Sequence, residues 1–191
     1  MMTKSLQSAR RTLETEVLGM NSLIGALDGE LGQSIARAVG MISAARGRVI
    51  ISGMGKSGHV GRKIASTLAS TGTPAMFVHP AEASHGDLGM ITAQDVVVVL
   101  SNSGESVELS AILNYTRRFS VPLIAMTARA GSALGKAADI VLELPQAREA
   151  CPNGLAPTTS TLLQLALGDA LAIALLEEKG FTAKNFQEFH P

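Results

Sequence analysis

Five consecutive residues, Val96-Val97-Val98-Val99-Leu100, are apolar without a break, and four of them are β-branched. A strand with one wet face alternates apolar and polar side chains, whereas a strand buried on both faces has no such need. The run therefore calls for helices on both sides of a sheet. This run, read as Asp95–Ser101 with its flanks, has comparable runs bounded by turn residues at Val49–Ser52, Ala75–His79 and Pro122–Thr127, with a weaker one at Asp139–Leu144. Helical segments lie between them at Gly58–Thr71, Glu105–Phe119 and Ser132–Ala137. This alternation implies right-handed βαβ crossovers. It predicts an α/β fold: a three-layer, doubly wound, five-stranded parallel sheet flanked by helices, flavodoxin-like. Residues 4–27 and 30–45 read as two N-terminal helices packing on that unit. Thr158–Lys179 reads as a helix that is apolar almost all round, so it is buried in a core or between subunits. With no repeat or linker, residues 1–191 read as a single domain.

Sixteen basic residues balance sixteen acidic ones. No global field points to nucleic acid or to an anionic membrane, so any anion affinity must be local. Cys151 is the only cysteine. It allows no intrachain disulfide, fits a reducing compartment, and reads as small-residue packing. The N-terminal charges Lys4, Arg10, Arg11 and Glu14 precede no apolar core, unlike a secretory signal. The stretch Leu162 to Leu176 is interrupted by Gln164, Gly168 and Asp169 and is shorter than the ~20 residues that span a bilayer. The expectation is a soluble, cytoplasmic protein with neither nucleic-acid nor membrane partners.

In open α/β sheets ligands bind past the carboxyl ends of the strands, which narrows the search to the residues after each run. Val49–Ser52 leads into Gly53-Met54-Gly55-Lys56-Ser57-Gly58 and then a helix. Glycines there allow close backbone approach, and a helix N-terminus suits a phosphate. Lys56 adds a mobile cation and Ser57 a hydroxyl. The spacing satisfies the dinucleotide fingerprint G-x-G-x-x-G. It is no Walker loop, because Ile50 stands where the first glycine belongs. The bland alternative is a tight turn without a ligand.

The next strand ends in Ser101-Asn102-Ser103-Gly104-Glu105-Ser106. One of these side chains would suffice as a helix cap, so the cluster resembles an anion nest. A monophosphate suits it, and a dinucleotide needs no second serine-rich nest. His79, Glu82, His85 and Asp87 crowd one loop, but their spacing matches no closed zinc site.

Taken in order, the motifs resemble those of arabinose 5-phosphate isomerases of the sugar isomerase (SIS) type. They are Gly53-Met54-Gly55-Lys56-Ser57-Gly58-His59, Ser70-Thr71-Gly72-Thr73-Pro74, His79 to Gly89, Ser101 to Ser106, Glu149-Ala150-Cys151-Pro152, Leu155-Ala156-Pro157-Thr158, Gly168-Asp169-Ala170-Leu171-Ala172, Gly180-Phe181-Thr182 and His190-Pro191. The resemblance implies an SIS fold and interconversion of D-ribulose 5-phosphate with D-arabinose 5-phosphate, feeding 3-deoxy-D-manno-octulosonate and lipopolysaccharide synthesis. It implies a homo-oligomer, a tetramer with shared active sites, and no required cofactor. Many members continue past His-Pro into Gly-Gly-x-Leu-Gly and paired CBS modules, whereas this sequence stops at Pro191. It is either a short form or an isolated catalytic portion.

By position in those motifs, Lys56, Glu108, Glu149 and His190 match the family's catalytically relevant residues. The resemblance places substrate contacts at Gly55, Ser57, Gly72, Thr73, His85, Ser101, Asn102, Ser103, Ser106 and Thr158. It allows inhibitory or adventitious zinc at His79. Aldose–ketose isomerisation needs a base near the carbon acid, stabilisation of an oxyanion and a phosphate handle. Glu149 is the expected base, with partial desolvation raising its pKa. His190 is the expected acid/base at the sugar oxygens, and these two roles are exchangeable. Lys56 would offset oxyanion or phosphate charge, and Glu108 would hold Lys56 or a sugar hydroxyl. Taken alone, Glu108 is equally an ordinary solvated carboxylate. Two other classes stay open: a phosphosugar sensor without catalysis, and an isomerase for another sugar phosphate.

Overall fold

The computed structural model describes residues 3–189. Its sheet holds five parallel strands in the order β2-β1-β3-β4-β5: β1 Val49–Gly53, β2 Ala75–Phe77, β3 Val96–Leu100, β4 Leu123–Thr127 and β5 Ile140–Glu143. The helices are α1 Lys4–Ala26, α2 Glu30–Ala44, α3 Gly55–Ser70, α4 Pro80–Ala83, α5 Ser110–Phe119, α6 Ala133–Ala137, α7 Thr159–Glu178 and α8 Ala183–Phe189.

Side chains alternate across each strand, and both faces of the sheet are dry. Ile51, Val96, Val98, Leu100, Ile124 and Met126 pack against α2, α3 and α7. Ile50, Val97, Val99, Leu123 and Ala125 pack with Leu109, Ile112 and Leu134 on the other side. This explains the unbroken valine run: every residue of β3 is buried. Each such side chain contributes roughly 1.5–3 kcal/mol relative to exposure.

The chain turns one way from β1 to β2 and the other way from β3 to β4. The switch point therefore lies between the ends of β1 and β3, where Gly53 pairs with Leu100. The flavodoxin-like doubly wound order is the predicted one.

Three boundaries differ from the sequence reading by more than one residue. β2 stops at Phe77 rather than His79, because His79 turns out to cap α4, its Nδ1 accepting from the Ala81 N–H at 3.3 Å. α3 begins at Gly55, three residues before the expected Gly58, because positive φ at Gly55 turns the chain straight into a helix. No helix starts at Glu105. A 3-10 turn occupies Val107–Leu109, and α5 starts at Ser110. Serine hydroxyls take the amides that a helical ladder would have used.

α7 has the length and apolar composition of a membrane-crossing helix, more than the interrupted stretch suggested. Half of that window is buried within the fold, against α3, α1 and α2. Gly168 receives the Ile64 side chain, and Lys63 pairs with Asp169. At the other end Lys179 Nζ donates to Thr73 Oγ1 at 2.7 Å and to the Gly72 carbonyl at 3.2 Å. These contacts run in the same sense along both chains, so α3 and α7 lie parallel. Their first turns emerge together at the carboxyl end of the sheet.

Candidate functional site

The turn after β3 is built from its own side chains. Ser101 Oγ accepts from the Gly104 N–H at 3.1 Å and lies 3.2 Å from Ser106 Oγ. Ser103 Oγ accepts from the Glu105 N–H at 3.3 Å. Gly104 sits at φ 68°, a left-handed position that costs other residues roughly 1–2 kcal/mol. A Cβ there would strike the Ser132 side chain. The turn is also stapled to the segment after β4. Ala128 N donates to Asn102 O at 3.1 Å and Leu134 N to Gly104 O at 3.0 Å.

A cleft of about 200 Å³ opens here, past the ends of β3, β4 and β5. Asn102, Ser103, Arg129, Gln146, Ser160 and Leu163 are among its lining residues. Of these the sequence reading had placed Asn102 and Ser103. Arg129 was missed, although its position two residues past β4 is itself a strand-end signal. Ser160 was read only as part of a helix.

Glu149 stands beside this cleft at the start of α7. Its Oε2 accepts from the Thr158 N–H at 2.7 Å, the Thr158 hydroxyl at 3.0 Å and the Ser160 N–H at 3.3 Å. Partial burial pushes its pKa up, but hydrogen bonds from Ser160 and Thr158 outweigh that and hold it below the ordinary value. The expected upward shift is thus corrected, because the carboxylate caps a helix rather than facing an apolar pocket. Thr158 spends its hydroxyl on this cap, also accepting from the Ala150 N–H at 2.9 Å.

Gly55, Lys56 and Ser57 form the first turn of α3, with the Lys56 side chain exposed. The parallel pairing of α3 with α7 sets this turn at the same end as Glu149. Glu108 lies exposed on the 3-10 turn. Among the described residues the only ion pair is Lys63 with Asp169, so Glu108 does not hold Lys56, and both are solvated.

Gly72 and Thr73 are not brought to this end. They precede β2, whose Ala75 pairs with Val49 at the start of β1, so within this chain they lie at the opposite, amino end of the strands. His85 is exposed in the segment after α4. His79 keeps only Nε2 free of its capping bond. No group of three or more His, Cys, Asp or Glu is placed to hold a metal among the described residues. Cys151 is half-buried, and the backbone N–H groups of Ala156, Leu155, Asn153 and Gly154 hold its thiol pKa below the ordinary value. His190 lies outside the described residues.

Polar groups gathered past the carboxyl ends of a parallel sheet, at and beside its switch point, define a doubly wound α/β domain of the architecture that places ligand sites at this end. The SIS domain family matches residues 41–174, and the chain belongs to that family. It is similar to the arabinose 5-phosphate isomerase KdsD of Pseudomonas aeruginosa, 53% identical over 186 residues, which cover 97% of this chain and 56% of that protein. The Escherichia coli K12 protein of the same name is 52% identical over 177 residues, 92% of this chain and 54% of that protein. The chain thus spans about half the length of the curated relatives it matches. An E. coli CFT073 protein solved in complex with arabinose 5-phosphate superposes with a TM-score of 0.91 at 38% identity, covering 100% of each chain.

Proposed function

We propose that this chain is an aldose–ketose isomerase interconverting D-ribulose 5-phosphate and D-arabinose 5-phosphate through an enediol. The observation that carries this reading is the meeting, at one end of the sheet, of an ionised carboxylate, a hydroxyl-rich turn and a lysine. Relatives named for this activity, and the sugar-phosphate complex of a structural neighbour, support it.

In this reading the phosphate anchors at the Ser101–Ser106 turn, and its remote binding energy positions the reacting carbons. Glu149, ionised at neutral pH, takes the proton from one carbon and returns it to its neighbour. Lys56 offsets the charge developing on the sugar oxygen. His190, assigned by the resemblance, moves protons between the sugar oxygens. Proton transfer between adjacent carbons calls for no redox partner, so the reading requires no cofactor. The reading places the enzyme in the cytoplasm as a homo-oligomer with sites shared between subunits. Assembly is the route by which Gly72 and Thr73 of one copy reach the site of another.

The test is an assay with D-ribulose 5-phosphate in EDTA, with the product identified by NMR. Arabinose 5-phosphate is the expected product. Glu149→Gln should lower kcat by roughly a hundredfold to ten-thousandfold, with sugar-phosphate binding retained in calorimetry. Undiminished turnover by that variant sinks the base assignment.

A further inference from the structure

We propose that Arg129 is the counter-charge that grips the phosphate monoester of the substrate, in the cleft it lines with Ser103 and Ser160. The inference rests on the isomerase reading and adds the residue that recognises the phosphate end. The serine turn brings hydroxyls but no cation. The charged residues from 101 to 109 are Glu105 and Glu108. A dianion held by neutral hydroxyls alone in a partly dry cleft keeps its charge uncompensated.

Arg129 faces that cleft from a fixed backbone. Its N–H donates to Thr127 Oγ1 at 3.3 Å, and its carbonyl accepts from Ser132 Oγ at 2.7 Å. The Thr127 hydroxyl in turn donates to Asn102 O at 3.3 Å, and Ala128 N donates to the same carbonyl at 3.1 Å. Ser103 and Arg129 therefore belong to one bonded unit, and their separation is preset. The guanidinium itself has no hydrogen bond or ion pair among the described residues. Two carboxylates that reach this segment are bonded to its backbone: Glu105 Oε1 accepts from the Ala133 N–H and Glu143 Oε1 from the Ala130 N–H, each at 3.1 Å.

An arginine fork matches phosphate oxygens bidentately, as a lysine point charge does not. With the phosphate assigned to Arg129 and the serines, Lys56 on the β1 side is left for the reacting end. The two cations then divide the substrate between them.

The experiment compares wild type, Arg129→Lys and Arg129→Met in kcat, KM for D-ribulose 5-phosphate and inhibition by inorganic phosphate. Folding is checked by circular dichroism. Arg129→Met should raise both KM and the phosphate inhibition constant by roughly tenfold to a hundredfold, with kcat changed far less. Arg129→Lys should recover part of the loss. Unchanged KM and inhibition constants, or a fall confined to kcat, overturn the assignment. Should wild type not turn the sugar over, calorimetry with inorganic phosphate and arabinose 5-phosphate on the same proteins decides separately. Weaker binding by Arg129→Met then supports the arginine while the isomerase reading fails. Equal binding, or no binding by wild type, overturns the arginine as well.

Discussion

At Glu149, hydrogen bonds from Thr158 and Ser160 stabilise the ionised form more than burial opposes it. Because the folded-state pKa is depressed, the stabilisation is fully present above the unfolded value, near the ordinary 4.5. It is lost as pH falls through the lower folded value. Unfolding followed by urea between neutral pH and pH 3 should show wild type losing stability more steeply than Glu149→Gln below about 4.5. Parallel pH profiles would show that the cap contributes nothing. The same depression keeps the candidate base deprotonated at neutral pH, at the expense of intrinsic basicity. The residue type of Glu149 was legible in the sequence, but the direction of its pKa was not. A loop acid before an apolar helix is desolvated or capped according to where that helix begins, and here Thr158 is the N-cap.

Among the elements, the turn after β3 depends most on a single backbone conformation. Gly104 combines positive φ with no room for a side chain: a Cβ there would strike Ser132 and come within 3.0 Å of Thr127 Oγ1. Gly104→Ala should therefore cost about 2 kcal/mol, from left-handed strain together with overpacking. It should also weaken phosphate binding by displacing Ser103. A thermal melt and a phosphate titration measure both, and an unshifted melting temperature would contradict the strain argument. The serine cluster stood out in the sequence as a nest. Its attachment to the β4 segment did not, because Ala128 and Leu134 donate from their backbones and such bonds leave no residue signature. For the same reason Arg129 passed unnoticed, since it gains meaning only from what the turn beside it presents.

For the molecule as a whole, α1 leaves Leu6, Leu13, Val17, Leu18 and Ile24 between 52% and 68% exposed. A row of large apolar side chains on one helix exceeds the scattered exposure normal for a monomer. The proposed homo-oligomer would cover it. Light scattering should give a mass above that of one chain, and Leu18→Glu, at an exposed position, should reduce it without lowering the helix content. A monomeric wild type would remove the assembly from the proposal, and with it the route that brings Gly72 and Thr73 to a site.

The fold class was readable from residue order alone. Unbroken β-branched runs separated by helical segments leave few arrangements other than a covered parallel sheet, and strand-end loops then mark where ligands go. Sequence also singled out Lys56, Ser57 and the Ser101–Ser106 cluster, since glycine and serine next to a strand end carry their chemistry locally. Tertiary structure alone decided which of these share a site. It set the first turns of α3 and α7 side by side through contacts as distant in sequence as Lys63 with Asp169, sent Gly72 and Thr73 to the far, amino end of the strands, and placed Arg129 opposite Ser103. Those outcomes depend on strand order and helix pairing, in which residues far apart in the chain compete for the same buried surface, and no local pattern encodes the result of that competition.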